Sequence, residues 1–149
     1  MYRVTKDLQD FALAHRLGKG YARRCKNLHG HNYALRVTLG SESLDQYDMV
    51  MDFGEIKRLF DAWVQDNWDH ATMVSMEDKV LLRFLEEEQQ RHYVVSVANQ
   101  NSTAEYMSKF LFEKFNELLH DEQRNPKIVL LEVKIWETKD SFATYGVTF

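Results

Sequence analysis

Tyr33, Leu35, Val37 and Leu39 alternate with Ala34, Arg36 and Thr38, a strict period of two. That period sends every apolar side chain to one face, so the segment predicts a β-strand with one buried face. A second extended segment lies within residues 3–15 and ends in Phe11-Ala12-Leu13-Ala14-His15. Ile128 to Trp136 and Phe142 to Phe149 are rich in β-branched and aromatic residues and predict two more strands.

Helical patterns fill the middle of the chain. Asp52 with Glu55 reads as an N-cap and its partner, and Phe53, Ile56, Phe60, Trp63 and Val64 share one helical face up to about Trp68. A second helix is predicted over 76–90, capped by Ser75 with Asp78, and Tyr93 to Val97 reads as a short extra strand. Ser102-Thr103-Ala104-Glu105 reads as a capping box. It opens a helix that turns Met107, Leu111, Phe115, Leu118 and Leu119 inward and is stopped by Asn125-Pro126. The expected class is α+β: a four-stranded antiparallel sheet with helices inserted between strands 2 and 3 and covering one face. Two open sheet edges then need blunting or pairing, and neighbouring subunits are one solution.

Composition narrows the function classes. The 149 residues suit one domain, 1–149. A net charge of −4 gives no footprint for nucleic acid or membrane lipid. The N-terminus has no apolar signal segment, and no run approaches the roughly 18 apolar residues of a membrane span. A single cysteine forms no internal disulfide, so a cytoplasmic location is expected. Three Trp, seven Tyr and nine Phe leave aromatics for subunit contacts or for stacking on a flat ligand.

Chemistry concentrates in Cys25-Lys26-Asn27-Leu28-His29-Gly30-His31. Residues two apart on a strand share a face, so His29 and His31 can converge on one ion. His15 ends the preceding strand, and an antiparallel pairing would bring it to them. Three imidazoles with an open fourth position make a catalytic zinc site, although His-x-His pairs are also common on ordinary surfaces. Cys25 is a candidate base or nucleophile, with Arg23, Arg24 and Lys26 beside it to favour the thiolate. The alternative is an inert buried thiol. Asp69-His70 could form a proton shuttle in which the carboxylate sets the imidazole tautomer, or it is a surface dipeptide at a helix end. Glu137 could accept two parallel N–H bonds from an amidine-like ligand edge, or it is a solvated strand-end carboxylate. Thr103 and Glu105 serve as capping residues, or they mark a helix start that faces a ligand. The loop from Arg16 to Lys26 carries Arg16, Lys19, Arg23, Arg24 and Lys26 without an acid. It could draw in a phosphorylated substrate or simply solubilise the surface.

Taken together, these segments resemble the 6-pyruvoyl-tetrahydropterin synthase / 6-carboxy-tetrahydropterin synthase family over nearly the whole chain. The match runs through Phe11 to His15, Cys25-x-x-x-His29-Gly30-His31, Asp52-Phe53, Asp69-His70, Thr103-Ala104-Glu105 and Glu137-Thr138. The three-residue gap between Cys25 and His29 is similar to that of the 6-carboxy branch, called QueD. The resemblance implies a T-fold (tunnelling fold) whose subunits join edge to edge into a trimeric β-barrel, often stacked as a hexamer, with active sites between subunits. It implies conversion of 7,8-dihydroneopterin triphosphate to 6-carboxy-5,6,7,8-tetrahydropterin with release of acetaldehyde and triphosphate, a step towards queuosine. Under it, His15, His29 and His31 hold zinc, Cys25 is the catalytic thiol, and Asp69 and His70 complete its proton relay. Glu137 anchors the pterin ring, Thr103 and Glu105 line the pocket, and Arg23 and Arg24, with Arg16 and Lys19, are our expected triphosphate contacts. The alternatives are the 6-pyruvoyl reaction, in which only triphosphate leaves, and a non-catalytic pterin- or purine-binding protein. Departures from the family pattern are Leu13 before the metal histidine, Ser102 before Thr103, and Ala71-Thr72-Met73-Val74 after Asp69-His70.

Overall fold

The alternating segment at Tyr33 is the centre of a longer strand that organises the whole sheet. A computed structural model of the chain describes residues 1–18, 20–97, 100–122 and 127–147. In chain order it contains β1 (Tyr2–Asp7), β2 (Phe11–His15), β3 (His29–Ser41), α1 (Phe53–Asn67), β4 (Ala71–Ser75), α2 (Lys79–Glu87), β5 (His92–Val95), α3 (Ala104–Asp121), β6 (Val129–Thr138) and β7 (Ser141–Gly146). A single 3-10 turn, Arg24–Lys26, interrupts the loop before β3.

The β3 strand pairs antiparallel with β6 along one edge and with both β1 and β2 along the other. The segment expected as one strand within 3–15 is therefore two, broken at Leu8–Asp10. Leu8 N–H still reaches the Leu35 carbonyl, at 2.9 Å, and Gln9 N–H donates to the Asp61 carboxylate of α1, also at 2.9 Å. The strands β1, β3, β6 and β7 make the expected antiparallel four-stranded sheet. The expectation that the sheet ends there is corrected. Parallel strands β4 and β5 extend it from β2, giving a mixed sheet in the order β5-β4-β2-β3-β6-β7, with β1 on β3.

Helices α1 and α3 cover the face that carries the odd-numbered side chains of β3. Tyr33, Leu35, Val37 and Leu39 are almost fully buried there, and Phe60 of α1 stacks on Phe115 of α3 with ring centroids 4.5 Å apart. Each fully buried large apolar side chain contributes about 1.5–3 kcal/mol. The smaller helix α2 closes the wing, with Leu81 and Leu85 packed on Val74.

The helix starts follow their caps. Asp52 accepts from the Gly54 and Glu55 amides, as expected. Two caps differ from the sequence reading. Asp78, not Ser75, caps α2, while Ser75 Oγ accepts from Glu77 N–H in the turn before it. Thr103, not Ser102, caps α3 through Tyr106 N–H. Asn125-Pro126 and the end of the last expected strand, Thr148 and Phe149, lie outside the described residues.

Asp61 carries a buried cost. Its second carboxylate oxygen has no hydrogen-bond partner among the described residues, and burial raises its pKa despite the Gln9 N–H bond. An acid whose folded pKa exceeds its unfolded value of about 3.9 holds its proton more tightly when folded, so stability falls as pH rises through that window. Asp61→Asn keeps an acceptor for Gln9 N–H and removes the buried charge. Thermal melts should show that the variant loses this acid-side slope and gains up to about 1 kcal/mol at pH 7, roughly 2–4 °C in Tm. A lower Tm at pH 7 would mean that the charge stabilises the β1–β2 break.

Candidate metal centre and active site

The β2–β3 register sets the centre. His15 lies directly opposite His29, and Leu13 opposite His31. The close approach suits Gly30, because a Cβ there would lie 3.3 Å from the Leu13 carbonyl oxygen of β2, tighter than an ordinary contact. The three imidazoles crowd together, with ring centroids 4.8–5.5 Å apart, and one nitrogen from each lies within 4.8 Å of the others.

The tautomers of two rings follow from their second nitrogens. His15 Nδ1 lies 2.7 Å from the Ser102 carbonyl and 3.1 Å from its hydroxyl, and His29 Nδ1 lies 2.6 Å from the Asn27 carbonyl. A carbonyl only accepts, so both Nδ1 atoms carry the proton and both Nε2 atoms present lone pairs. Such bonds are the usual second support of a metal-bound histidine. His29 Nε2 and His31 Nε2 are buried without a hydrogen-bond partner among the described residues. Burial, the largest influence, lowers the pKa of both His15 and His31, against the opposing pull of Glu137. Three converging imidazoles, two of them held by carbonyls at Nδ1 and two with buried Nε2 atoms that lack a partner among the described residues, fit a divalent cation. Zn–N bonds of about 2.0–2.1 Å in tetrahedral geometry need nitrogens about 3.3 Å apart, a modest inward adjustment of these rings.

Tyr33 and Glu137 complete the surroundings. The Tyr33 hydroxyl lies 3.5 Å from His15 Nε2, and its ring stacks on Phe11 at 5.2 Å. Burial, the largest cause, raises the Tyr33 pKa, with additional pushes from Glu137 and Cys25. Glu137 Oε1 lies 3.2 Å from His31 Nε2, close enough for attraction but not aligned as a hydrogen bond.

Cys25 sits in the 3-10 turn, partly exposed, and its carbonyl accepts from Leu17 N–H. Arg23 and Arg24 flank it and are exposed. Arg16 differs from them: its guanidinium forms two 2.7 Å bonds to Asp78. Lys19 lies outside the described residues.

Asp69 and His70 form a dyad, with His70 Nδ1 2.9 Å from Asp69 Oδ2. Burial would raise the Asp69 pKa, but the bonds from Ala12 N–H and His70 bring it below its ordinary value. His70 adopts a left-handed backbone at φ 61°, held by a 2.7 Å bond from its N–H to the Ala12 carbonyl. Such strain costs about 1–2 kcal/mol. The His70 side chain is 80% exposed, and among the described residues no hydrogen bond, ion pair or ring contact joins the dyad to the three histidines. Thr103 caps α3 immediately after Ser102, and Glu105 stands exposed in the first turn. A cavity of about 410 Å³ lined by Asn32, Ala34, Arg36 and Trp136 shares no residue with the cluster.

Residues not singled out from sequence are Ser102 as a support of His15, Asn27 as a support of His29, and Tyr33. The parity of β3 already placed Tyr33 on the face of His29 and His31. Ser102 carries no local signal, because it meets His15 across 87 residues of chain.

Comparison with known proteins follows this geometry. The family model for 6-pyruvoyl tetrahydropterin synthase matches residues 3–147. The 6-carboxy-5,6,7,8-tetrahydropterin synthase of Rickettsia bellii is 31% identical over 144 residues, covering 95% of this chain and 98% of that protein. Its namesake from Haemophilus influenzae is 30% identical over 151 residues, covering 97% and 99%. Among solved structures, Caenorhabditis elegans 6-pyruvoyl tetrahydropterin synthase superposes with a TM-score of 0.66 at 28% identity, covering 99% of this chain and 98% of that one. An uncharacterized protein from Wolinella succinogenes reaches 0.79 at 20% identity, covering 97% of each chain, a likeness of fold. The subunit fold is thus the T-fold, here with the β4–β5 wing added to the antiparallel sheet. With a matching model over nearly its full length, the chain belongs to the 6-pyruvoyl tetrahydropterin synthase family.

Proposed function

We propose that the chain is a zinc-dependent 6-carboxy-5,6,7,8-tetrahydropterin synthase, a carbon–carbon lyase. It would act on 7,8-dihydroneopterin triphosphate and one water and release acetaldehyde and triphosphate, in the cytoplasm, on the route to queuosine. The observation that carries this reading is the three-histidine cluster, with two buried Nε2 atoms that have no partner among the described residues, built on a strand that begins four residues after Cys25. Full-length relatives bearing that enzyme name support it.

Each residue has a physical role in this reading. Ser102 and Asn27 hold His15 and His29 with their lone pairs turned to the metal position. When bound, zinc acts there as a Lewis acid on the substrate's side-chain oxygens and makes the adjacent C–H more acidic. The Cys25 thiolate takes and returns that proton. Asp69 accepts from His70 Nδ1–H, which leaves His70 Nε2 to move a proton on the other side of the side chain. Glu137 accepts two parallel N–H bonds from the amino and ring nitrogens of the pterin. Thr103 and Glu105 line the pocket at the start of α3. The His70 ring is exposed, and in this reading the complete site is assembled from two copies in a homo-oligomer, trimer or hexamer. The open edges of β1 and β7 suit that assembly.

Exposed Arg23 and Arg24 are the proposed triphosphate contacts. Replacing both with Ala should raise KM about tenfold or more with kcat little changed, the signature of lost uniform binding. An unchanged KM in steady-state kinetics would remove them from the site.

Incubation of the zinc-loaded protein with 7,8-dihydroneopterin triphosphate tests the main reading. Acetaldehyde and a 6-carboxy product by mass spectrometry are expected. Triphosphate release without acetaldehyde would favour 6-pyruvoyl-tetrahydropterin synthesis, the reading supported by the Caenorhabditis elegans structure. Binding without turnover would favour a non-catalytic pterin-binding protein.

A further inference from the structure

The residues that leave β2 are held by distant parts of the chain. His15 meets the Ser102 carbonyl and hydroxyl at Nδ1. Arg16 makes two 2.7 Å bonds to Asp78, the N-cap of α2. Gly18 N–H donates to Asn101 Oδ1 at 2.9 Å. Asn101 and Ser102 are consecutive, so one dipeptide before α3 holds the chain at position 15, a candidate metal ligand, and again at position 18. A Cβ at Gly18 would lie 2.9 Å from Asn101 Oδ1, so a side chain there would displace the acceptor.

Leu17 stands between these tethers, and its N–H donates to the Cys25 carbonyl at 2.9 Å. On the other side of the thiol, Lys26 N–H bonds to the Arg23 carbonyl at 3.1 Å and Asn27 N–H to the Arg24 carbonyl at 3.0 Å, which closes the turn. The Asn27 carbonyl in turn meets His29 Nδ1 at 2.6 Å. Cys25 is therefore framed by the supports of two histidines. Asn27 frames it downstream. Leu17 frames it upstream, and Asn101 fixes the residue next to Leu17.

We propose that Asn101 is a positioning residue for Cys25: its side-chain oxygen fixes Gly18, so that Leu17 N–H holds the thiol turn in place relative to the three-histidine centre. This role rests on Cys25 as the proton-transfer group of the reading above. Asn101 acts only through the loop, without touching metal or substrate. A misplacement of about 1 Å in a reacting group can cost about 10²-fold in rate while binding is kept.

Asn101→Leu keeps the bulk of the side chain and removes the acceptor, and Asn101→Asp restores an acceptor. In the zinc-loaded full chain, Asn101→Leu should lower kcat about ten- to a hundredfold, with KM for 7,8-dihydroneopterin triphosphate within about twofold of wild type and metal content unchanged. Asn101→Asp should recover most of kcat. Amide exchange followed by NMR gives a readout without substrate. Leu17 N–H should exchange about tenfold or more faster in Asn101→Leu and near the wild-type rate in Asn101→Asp. Gly18→Ala reaches the same contact from the other side and should reproduce the Leu variant. Wild-type kcat and wild-type Leu17 exchange in folded Asn101→Leu or Gly18→Ala would overturn the role. Loss of metal in Asn101→Leu, or no recovery in Asn101→Asp, would also overturn it and make Asn101 a support of the fold or of His15. Absence of turnover by the wild-type protein would instead overturn the lyase reading, and Leu17 exchange would still decide whether Asn101 holds the loop.

Discussion

His29→Ala should empty the metal site while leaving the fold in place. Its ring meets His15 and His31 at 4.8 and 4.9 Å, and its buried Nε2 has no hydrogen-bond partner among the described residues. Two remaining imidazoles make a far weaker chelate than three. Elemental analysis after dialysis should show metal falling from about one ion per chain to below about a tenth. Lyase activity should fall by about a thousandfold or more, because the Lewis acid supplies several kcal/mol of the barrier reduction. The melting curve should retain a single cooperative transition, since His29 begins β3 and lies outside the apolar core. His120→Ala is the control: its ring bonds to the Asn116 carbonyl on α3, and its removal should leave metal content unchanged. Stoichiometric metal in His29→Ala would refute the three-histidine centre.

Cys25→Ala should separate chemistry from metal binding. The thiol sits in the 3-10 turn before β3, and the clustered ligand atoms come from His15, His29 and His31. Losing a positioned acid–base group costs about 10²–10⁴ in rate. The variant should keep about one zinc per chain and bind pterin normally, with kcat reduced by that factor. Metal loss in Cys25→Ala would instead make the thiol a fourth ligand, and unchanged kcat would make it a bystander.

How much of this was legible in the sequence depends on the range of the interactions. The Asp52 cap of α1 and the alternation of β3 are local patterns, and both appear as read. The His15–His29–His31 cluster was legible because a period of two and one antiparallel pairing suffice to build it. Strand β4 was not: Ala71, Met73 and Val74 are all buried, as in a short parallel strand covered on both faces, and such a strand shows no alternation. Ser102 was read as a cap because capping patterns are local, whereas its carbonyl and hydroxyl in fact meet His15, 87 residues away in the chain. Arg16 was read as a free cation because its partner, Asp78, lies 62 residues on. The approach of Glu137 to His31 likewise depends on the long pairing of β3 with β6.

The register of β2 on β3 has a consequence for how the chain reaches its native form. His15 faces His29 only when Phe11 faces Tyr33 and Leu13 faces His31. A slip of one residue would set His15 against Gly30 and turn Phe11 and Leu13 out of the core. A hairpin slipped by one residue turns His15 away from the face of His29 and His31, so a metal ion held by all three would favour the native register by mass action.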